Sequence, residues 1–195
     1  MAPGSPGPTE PGPGGRWVVH GERALYRSEW VGVGLADVEL PSGRRIAHHV
    51  VRVPRPAVGV VVHQPARGVL MLRRHRFIPD RWVWEIPAGR VEAGESVAAA
   101  GAREVLEETG WRVGPLAPVF EFWPSIGLSD QRFHLLHARE ATLAGPPSDL
   151  DETGEVAWIP AARVPALIQS GQVAGALALT GLLWLLTLAP EALPG

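Results

Sequence analysis

The sequence predicts a mixed α/β domain preceded by a small all-β unit. Three observations predict it. Between residues 57 and 159, short runs of β-forming apolar residues are separated by turn signals. One long amphipathic helical pattern, residues 97–109, interrupts them. Two further helical patterns close the chain. Strands, one helix, more strands and terminal helices read as packed α/β layers rather than a regular βαβ series. No internal repeat is visible.

The elements follow in order. Residues 1–15 are rich in proline and glycine, with no means of burying surface, and read as a disordered tail. Their start has neither a positive region nor an apolar one, so it does not read as a signal peptide. Residues 16–53 hold β-forming stretches around the turn signal Leu40-Pro41-Ser42-Gly43-Arg44. A small antiparallel unit of this kind is marginal alone and must pack on something else. Pro54 and Pro56 break the chain, and residues 54–195 form the main domain. Ala57–His63 is a nearly continuous apolar run, as in a strand buried on both faces. The turn Gln64–Gly68 leads to its hairpin partner, Val69–Leu72, after which Arg73, Arg74, His75 and Arg76 form a basic cluster. Trp82–Ile86, Pro115–Trp123, Phe133–His137 and Glu155–Ile159 read as further strands, and residues 160–170 and 173–187 as helices. The tryptophans Trp82, Trp84, Trp123 and Trp184 read as core by default, because indoles bring large apolar surfaces.

Composition removes several classes of function. The chain has 195 residues, enough to bury a core without staples, and no cysteine, so disulfides, thiolate metal sites and cysteine nucleophiles are out. A cytoplasmic location is compatible with that. Lysine is absent and the formal charge is −2, which gives no electrostatic footprint for nucleic acid. The apolar run from Val173 to Pro190 is near the minimum for spanning a membrane, but Thr180, Gly181 and Thr187 interrupt it and no Arg flanks it. It reads as a buried helix rather than an anchor.

Chemistry concentrates in residues 89–111, GRVEAGESVAAAGAREVLEETGW. At about 100° per residue, Glu104, Glu107 and Glu108 share one arc about 100° wide. Gly101, Val105, Ala98, Thr109 and Ala102 fill the neighbouring arc, the expected core face. Carboxylates one turn apart repel, so three at the edge of a core face ask for a cation. Gly110 is placed to end the helix. Hard carboxylate oxygens facing an open site suit Mg²⁺, which keeps several waters and accepts phosphate oxygens.

The stretch resembles the Nudix box, G-x5-E-x7-R-E-U-x-E-E-x-G-U with U apolar. Gly89, Glu95, Arg103, Glu104, Val105, Glu107, Glu108, Gly110 and Trp111 occupy every fixed position. The resemblance implies a Nudix hydrolase with an α/β/α sandwich built on a mixed sheet. It implies Mg²⁺ or Mn²⁺ as cofactor and cleavage of a diphosphate by water. Carried onto this chain, Glu104 and Glu108 are the expected principal metal ligands, Glu107 a shared or water-mediated one, and the Ala88 carbonyl a backbone ligand. Arg103 is expected to orient carboxylates, pairing with Glu107 one turn away. Glu95 is expected to tie the loop to the helix.

Outside the box the order resembles the ADP-ribose/ADP-sugar pyrophosphatase branch. The residues that carry this are the N-terminal β unit, Arg76 followed by Trp84-Glu85-Ile86-Pro87-Ala88-Gly89, and the loop Ser125–Gln131. By that resemblance Arg76 and Glu85 face the substrate, with Arg76 a candidate ligand of the diphosphate or of the terminal ribose, since guanidinium binds phosphate bidentately. Trp30 is a candidate for stacking on a nucleobase. Ile126 and Gln131 depart from the branch's S-P-G-x-S-[DE]-E loop. Gln131 stands where many members carry the glutamate taken as general base. An amide cannot usefully accept a proton but can position water or contact substrate. Asp130, Glu152 and Glu155 are then the carboxylates available as base. The branch also implies a homodimer through the N-terminal β unit. The seven histidines show no metal-ligand spacing tied to the acidic arc.

The expected reaction is Mg²⁺-dependent hydrolysis of ADP-ribose or a related nucleoside diphosphate sugar to a nucleoside monophosphate and a sugar phosphate. The alternatives are hydrolysis of dinucleotides or dinucleoside polyphosphates, and a non-catalytic Nudix domain that senses a nucleotide-linked ligand. A di-iron carboxylate protein would need E-x-x-H pairs, which the chain lacks.

Overall fold

The computed structural model describes residues 15–148 and 154–189. The Pro/Gly tail up to Gly14, and Glu152, lie outside the described residues. The described chain forms two compact units.

The first unit contains residues 15–54 and takes in the distant loop Ser125–Asp130. Three antiparallel strands, β1 (Val18–Arg27), β2 (Gly32–Glu39) and β3 (Arg45–Arg52), lie in that order. Leu40-Pro41-Ser42-Gly43 makes the expected turn, with Gly43 at φ 80° donating its N–H to the Leu40 carbonyl at 2.8 Å. Ion pairs lace the surface, Arg52 with Glu22 and Arg45 with Asp37, and His20 hydrogen-bonds Glu39. Arg52 holds the Glu22 carboxyl below the usual carboxylate range, and Arg45 does the same for Asp37. The loop joins the edge of β3, where the Val51 N–H donates to the Leu128 carbonyl at 2.8 Å and His48 bonds the Gly127 carbonyl at 2.9 Å. Every residue of β1 is exposed, including Val18, Val19, Leu25 and Tyr26.

The second unit, residues 55–124 and 131–189, is a three-layer α/β/α arrangement. Its mixed sheet contains β4 (Ala57–Gln64), β5 (Gly68–Arg76), β6 (Arg81–Glu85), β7 (Ala88–Arg90), β9 (Ala117–Phe122), β10 (Phe133–Ala138) and β12 (Glu155–Ile159). The order is β12-β5-β4-β10-β9, with β6 also on β5 and β7 also on β4. Only β4 and β10 run parallel; the other pairs are antiparallel. A separate pair joins β8 (Trp111–Val113) to β11 (Ala141–Leu143).

The period of two along the central strands builds both cores. Val58, Val60 and Val62 of β4, Leu70 of β5 and Leu136 of β10 pack with Ala100 and Val105 of helix α1 (Val97–Thr109). Val61, Met71 and Leu135 face the other way, onto α2 (Val164–Gln169) and α3 (Ala176–Leu188). That is why Ala57–His63 reads as a continuous apolar run.

Several elements differ from expectation for local reasons. The basic cluster 73–76 lies within β5, because the ladder to β6 continues to Arg76–Arg81. Residues 160–170 divide into a 3₁₀ turn, Ala161–Arg163, and α2, whose first turn holds Pro165. The final helix starts at Ala176, after Gly175. The strands β7, β8 and β11 have three residues each, too few for a periodic signal. Trp84 is buried, but Trp82 and Trp123 are more than two-fifths exposed. Trp82 lines a cavity, with His75 at 5.6 Å and the Arg73 guanidinium at 5.6 Å from its ring. No helix among the described residues is long and apolar enough to cross a membrane.

Candidate active site

The site is built where β7 and its following loop meet α1. The Ser96 hydroxyl accepts the Ala99 N–H at 3.1 Å and starts the helix; Gly110, at φ 74°, ends it. Between these caps the acidic arc is oriented by two arginines.

Arg103 organises the outer carboxylates. It donates from Nε and Nη2 to Glu95 at 3.0 and 3.1 Å, and from Nη1 to Glu104 at 2.8 Å and Glu107 at 3.0 Å. Its Nη2 also reaches the Arg90 carbonyl at 3.0 Å, which ties helix to strand. Glu95 in turn accepts the Glu92 N–H at 3.0 Å, closing the loop. The Arg103 guanidinium, with that N–H, holds the Glu95 carboxyl below its usual range, while Glu95 raises Arg103.

Arg74 organises the inner carboxylate. Glu108 is only 3% exposed; Arg74 of β5, 4% exposed, donates from Nη2 to its Oε1. The Ala88 N–H donates to Oε2 at 2.9 Å. Burial pushes the Glu108 carboxyl up to about 7, against the pull of Arg74 and the Ala88 N–H. The order of burial along the arc matches the helical wheel: Glu108 is innermost, Glu104 next, Glu107 outermost.

Gly89 makes room for the acidic arc. A Cβ there would overlap the Glu104 carboxyl carbon and oxygen. The bare backbone lets that carboxylate lie against the loop. Among the described residues no group of three or more His, Asp or Glu side chains is gathered closely enough to chelate an ion. Two arginines compensate the acidic arc instead. The donor set, all hard oxygen at the edge of an open face, has the chemistry that Mg²⁺ or Mn²⁺ takes.

Arg76 and Glu85 form a bidentate pair at 2.6 to 3.2 Å. Both line a cavity of about 780 Å³ together with Arg74, Phe77, Ile78 and Trp82. Phe77 and Ile78, 82% and 85% exposed, form its outer lip. The structure therefore joins Arg76 and Glu85 to the acidic arc through Arg74, whose Nε lies 3.6 Å from Glu85 Oε2. Arg74 is the residue that sequence reasoning missed. The available signal was the alternation of the strand: with Arg73 outward, Arg74 faces in, and a buried guanidinium needs carboxylates.

The other sequence candidates lie as follows. Asp130 accepts the Val53 N–H at 2.9 Å and Arg52 Nη1 at 3.2 Å, within the N-terminal unit. Trp30 also belongs to that unit, 56% exposed in the turn after β1. Gln131 is half-buried before β10. Glu155 begins β12 and lies 4.0 Å from Arg73.

The three-layer fold and the arginine-braced acidic helix define a Nudix domain. The profile of the NUDIX domain matches residues 53–176, well over half the chain, and the chain belongs to the Nudix family. The CMP-5'-(N-acetyl-N-hydroxy-3-aminopropyl)phosphonate hydrolase of Streptomyces rubellomurinus (strain ATCC 31215) is 38% identical over 173 residues, spanning 89% of this chain and 84% of that protein. The ADP-ribose pyrophosphatase of Bacillus subtilis (strain 168) is 30% identical over 128 residues, 66% of this chain and 69% of that protein. Among solved structures, an ADP compounds hydrolase superposes with a TM-score of 0.79 over 90% of this chain and 95% of that one, at 19% identity, a likeness of fold. The chain is a hydrolase acting on phosphorus-containing anhydrides.

Proposed function

We propose that the protein hydrolyses the diphosphate bond of ADP-ribose or a related nucleoside diphosphate sugar, with Mg²⁺ or Mn²⁺. The single observation that carries this reading is the continuity of charge from the Arg76–Glu85 pair in the cavity, through Arg74, to Glu108 on the acidic helix. It links a place for a diphosphate to a place for a divalent ion.

In this reading Glu104, Glu107, Glu108 and the Ala88 carbonyl hold the ion, and Arg103 keeps Glu104 and Glu107 oriented. When bound, the ion neutralises charge on the diphosphate and activates water. Arg76 binds the phosphate oxygens with its fork, and Glu85 orients Arg76. Water adds to one phosphorus, the bridging P–O bond breaks, and a nucleoside monophosphate and a sugar phosphate leave. Gln131 serves to position water or substrate, since its amide takes no proton. The exposed apolar residues of β1 support a homodimer through the N-terminal sheet, because clustered apolar side chains on one strand would otherwise face water.

A second reading has its own support. The relative at 38% identity acts on a CMP-linked phosphonate, so a nucleotide joined to a phosphonate is the competing substrate class. The test is a substrate panel in Mg²⁺ and in Mn²⁺, with a phosphatase to release inorganic phosphate. It contains ADP-ribose, other nucleoside diphosphate sugars, dinucleoside polyphosphates and a CMP-linked phosphonate. We expect turnover of a nucleoside diphosphate sugar that Glu108→Gln abolishes. Faster turnover of the CMP-linked phosphonate would replace the first reading with the second. No turnover of any compound would overturn both substrate readings.

A further inference from the structure

We propose that Arg74 is the positioning residue of the metal site, fixing the Glu108 carboxylate from the floor of the cavity and tying it to the Arg76–Glu85 pair. The inference rests on the reading of Glu108 as a metal ligand.

Arg74 occupies an unusual place. It stands on β5 between two solvent-facing residues, Arg73 and His75, yet is 4% exposed. A guanidinium withdrawn from water to that degree requires carboxylates around it. It meets carboxylates from different elements, Glu108 on α1 and Glu85 on β6. The second oxygen of Glu108 is taken by the Ala88 N–H at 2.9 Å. Each carboxylate oxygen offers two lone pairs, so a single donor does not exhaust the acceptor capacity of either. With each oxygen held by a donor from a different element, β5 and β7, the carboxylate is oriented before any ion arrives.

The same guanidinium touches the group that holds Arg76. Glu85 accepts from Arg76 through both oxygens and faces Arg74 Nε at 3.6 Å. Arg74 thus meets both the innermost carboxylate of the helix and the acid that orients the cavity arginine. Lysine would preserve the charge at this position but not the fork, since an ammonium is a point donor that cannot span two carboxylates in fixed planes.

The test measures Mn²⁺ binding to the full-length protein by electron paramagnetic resonance, without substrate. Arg74→Gln, Arg74→Lys, Glu108→Gln and Arg112→Gln are compared with wild type, and thermal melts follow folding. Arg112 is an exposed residue of β8 and controls for the change in net charge. We expect Arg74→Gln to weaken Mn²⁺ binding about 10–100-fold, the usual effect of losing a group that orients a ligand. Arg74→Lys should recover part of that loss, and Arg112→Gln should match wild type. If Arg74→Gln does not fold, Arg74→Lys carries the test, and it should bind Mn²⁺ measurably more weakly than wild type. Binding within twofold of wild type in the folded Arg74 variants, while Glu108→Gln abolishes it, would overturn the positioning role and leave the metal reading intact. Tighter binding would also overturn it, making Arg74 a competitor of the ion. A wild-type protein that binds no Mn²⁺ would overturn both readings together.

Discussion

Helices α1 and α3 are the same length, thirteen residues each, and both pack on β4 from opposite sides. Each brings a glycine to the strand. A Cβ on Gly101 would stand 3.0 Å from Val60 Cγ2, and one on Gly181 would stand 2.9 Å from Val61 Cγ2. From there they diverge. α3 is apolar on all sides; it buries Leu177, Ala178, Leu182 and Leu185 and still leaves Leu183 and Leu188 exposed. α1 buries little besides Ala100, Gly101, Val105 and Thr109, and it also buries Glu108. The difference teaches where function sits. α3 follows the rule that apolar residues go inside, so its residues are interchangeable with others of similar shape. α1 breaks that rule at one carboxylate, and the surrounding structure supplies a buried arginine and a backbone N–H to sustain the breach.

The contrast makes predictions that separate the helices. The largest effect is expected at Leu182, fully buried in the α3 core. Leu182→Ala should cost about 2–5 kcal/mol of stability in urea or thermal unfolding, while the folded fraction keeps its turnover per molecule. A specific loss of turnover without loss of stability would place α3 in the chemistry. Next comes Gly89→Ala, whose methyl would displace the Glu104 carboxylate rather than any core group. We expect turnover of the preferred substrate to fall about 10–100-fold with little change in melting temperature. A large drop in melting temperature with normal turnover would show that the loop is structural.

The smallest effect concerns β4, the strand the helices share. His63 is 1% exposed, and its Nε2 has no hydrogen-bond partner among the described residues. Burial, helped by the charge of Arg139, lowers its pKa below the ordinary 6.5. Above pH 6.5 the ring is neutral in both folded and unfolded chains and titration contributes nothing. Below it, the unfolded chain takes up a proton that the folded chain refuses, so stability falls with pH by at most about 1.4 kcal/mol per pH unit. The difference in melting temperature between wild type and His63→Leu should therefore shift against wild type as pH falls from about 7.5 to about 5.5. A difference independent of pH would mean that His63 meets water or a partner.

Much of this architecture was legible in the sequence because it rests on periodicity. The apolar run of β4, the helical arc at 97–109 and the glycine that ends it each follow from spacing over several residues. The three-residue strands were not legible, since a period cannot show itself in so short a run. Trp82 and Trp123 were misplaced because size alone indicates how much surface an indole brings, not whether the fold covers it; Trp82 is left open to a cavity. Asp130 could be named as an acid, but its bonds to Arg52 and the Val53 N–H depend on a loop 77 residues further along the chain folding back to β3.

By itself the sequence determined the family of chemistry. Nine residues at fixed spacing put Glu104, Glu107 and Glu108 on one helical face behind a glycine loop, and local geometry suffices for that. Only the tertiary structure decided how those charges are sustained. Arg103 is a neighbour of its carboxylates on the same helix, but Arg74 reaches Glu108 from a strand 34 residues earlier. Such a pairing has no local signature. It forms because β5, β7 and α1 converge on one buried point, where an ion from one element must be answered by a counter-ion from another.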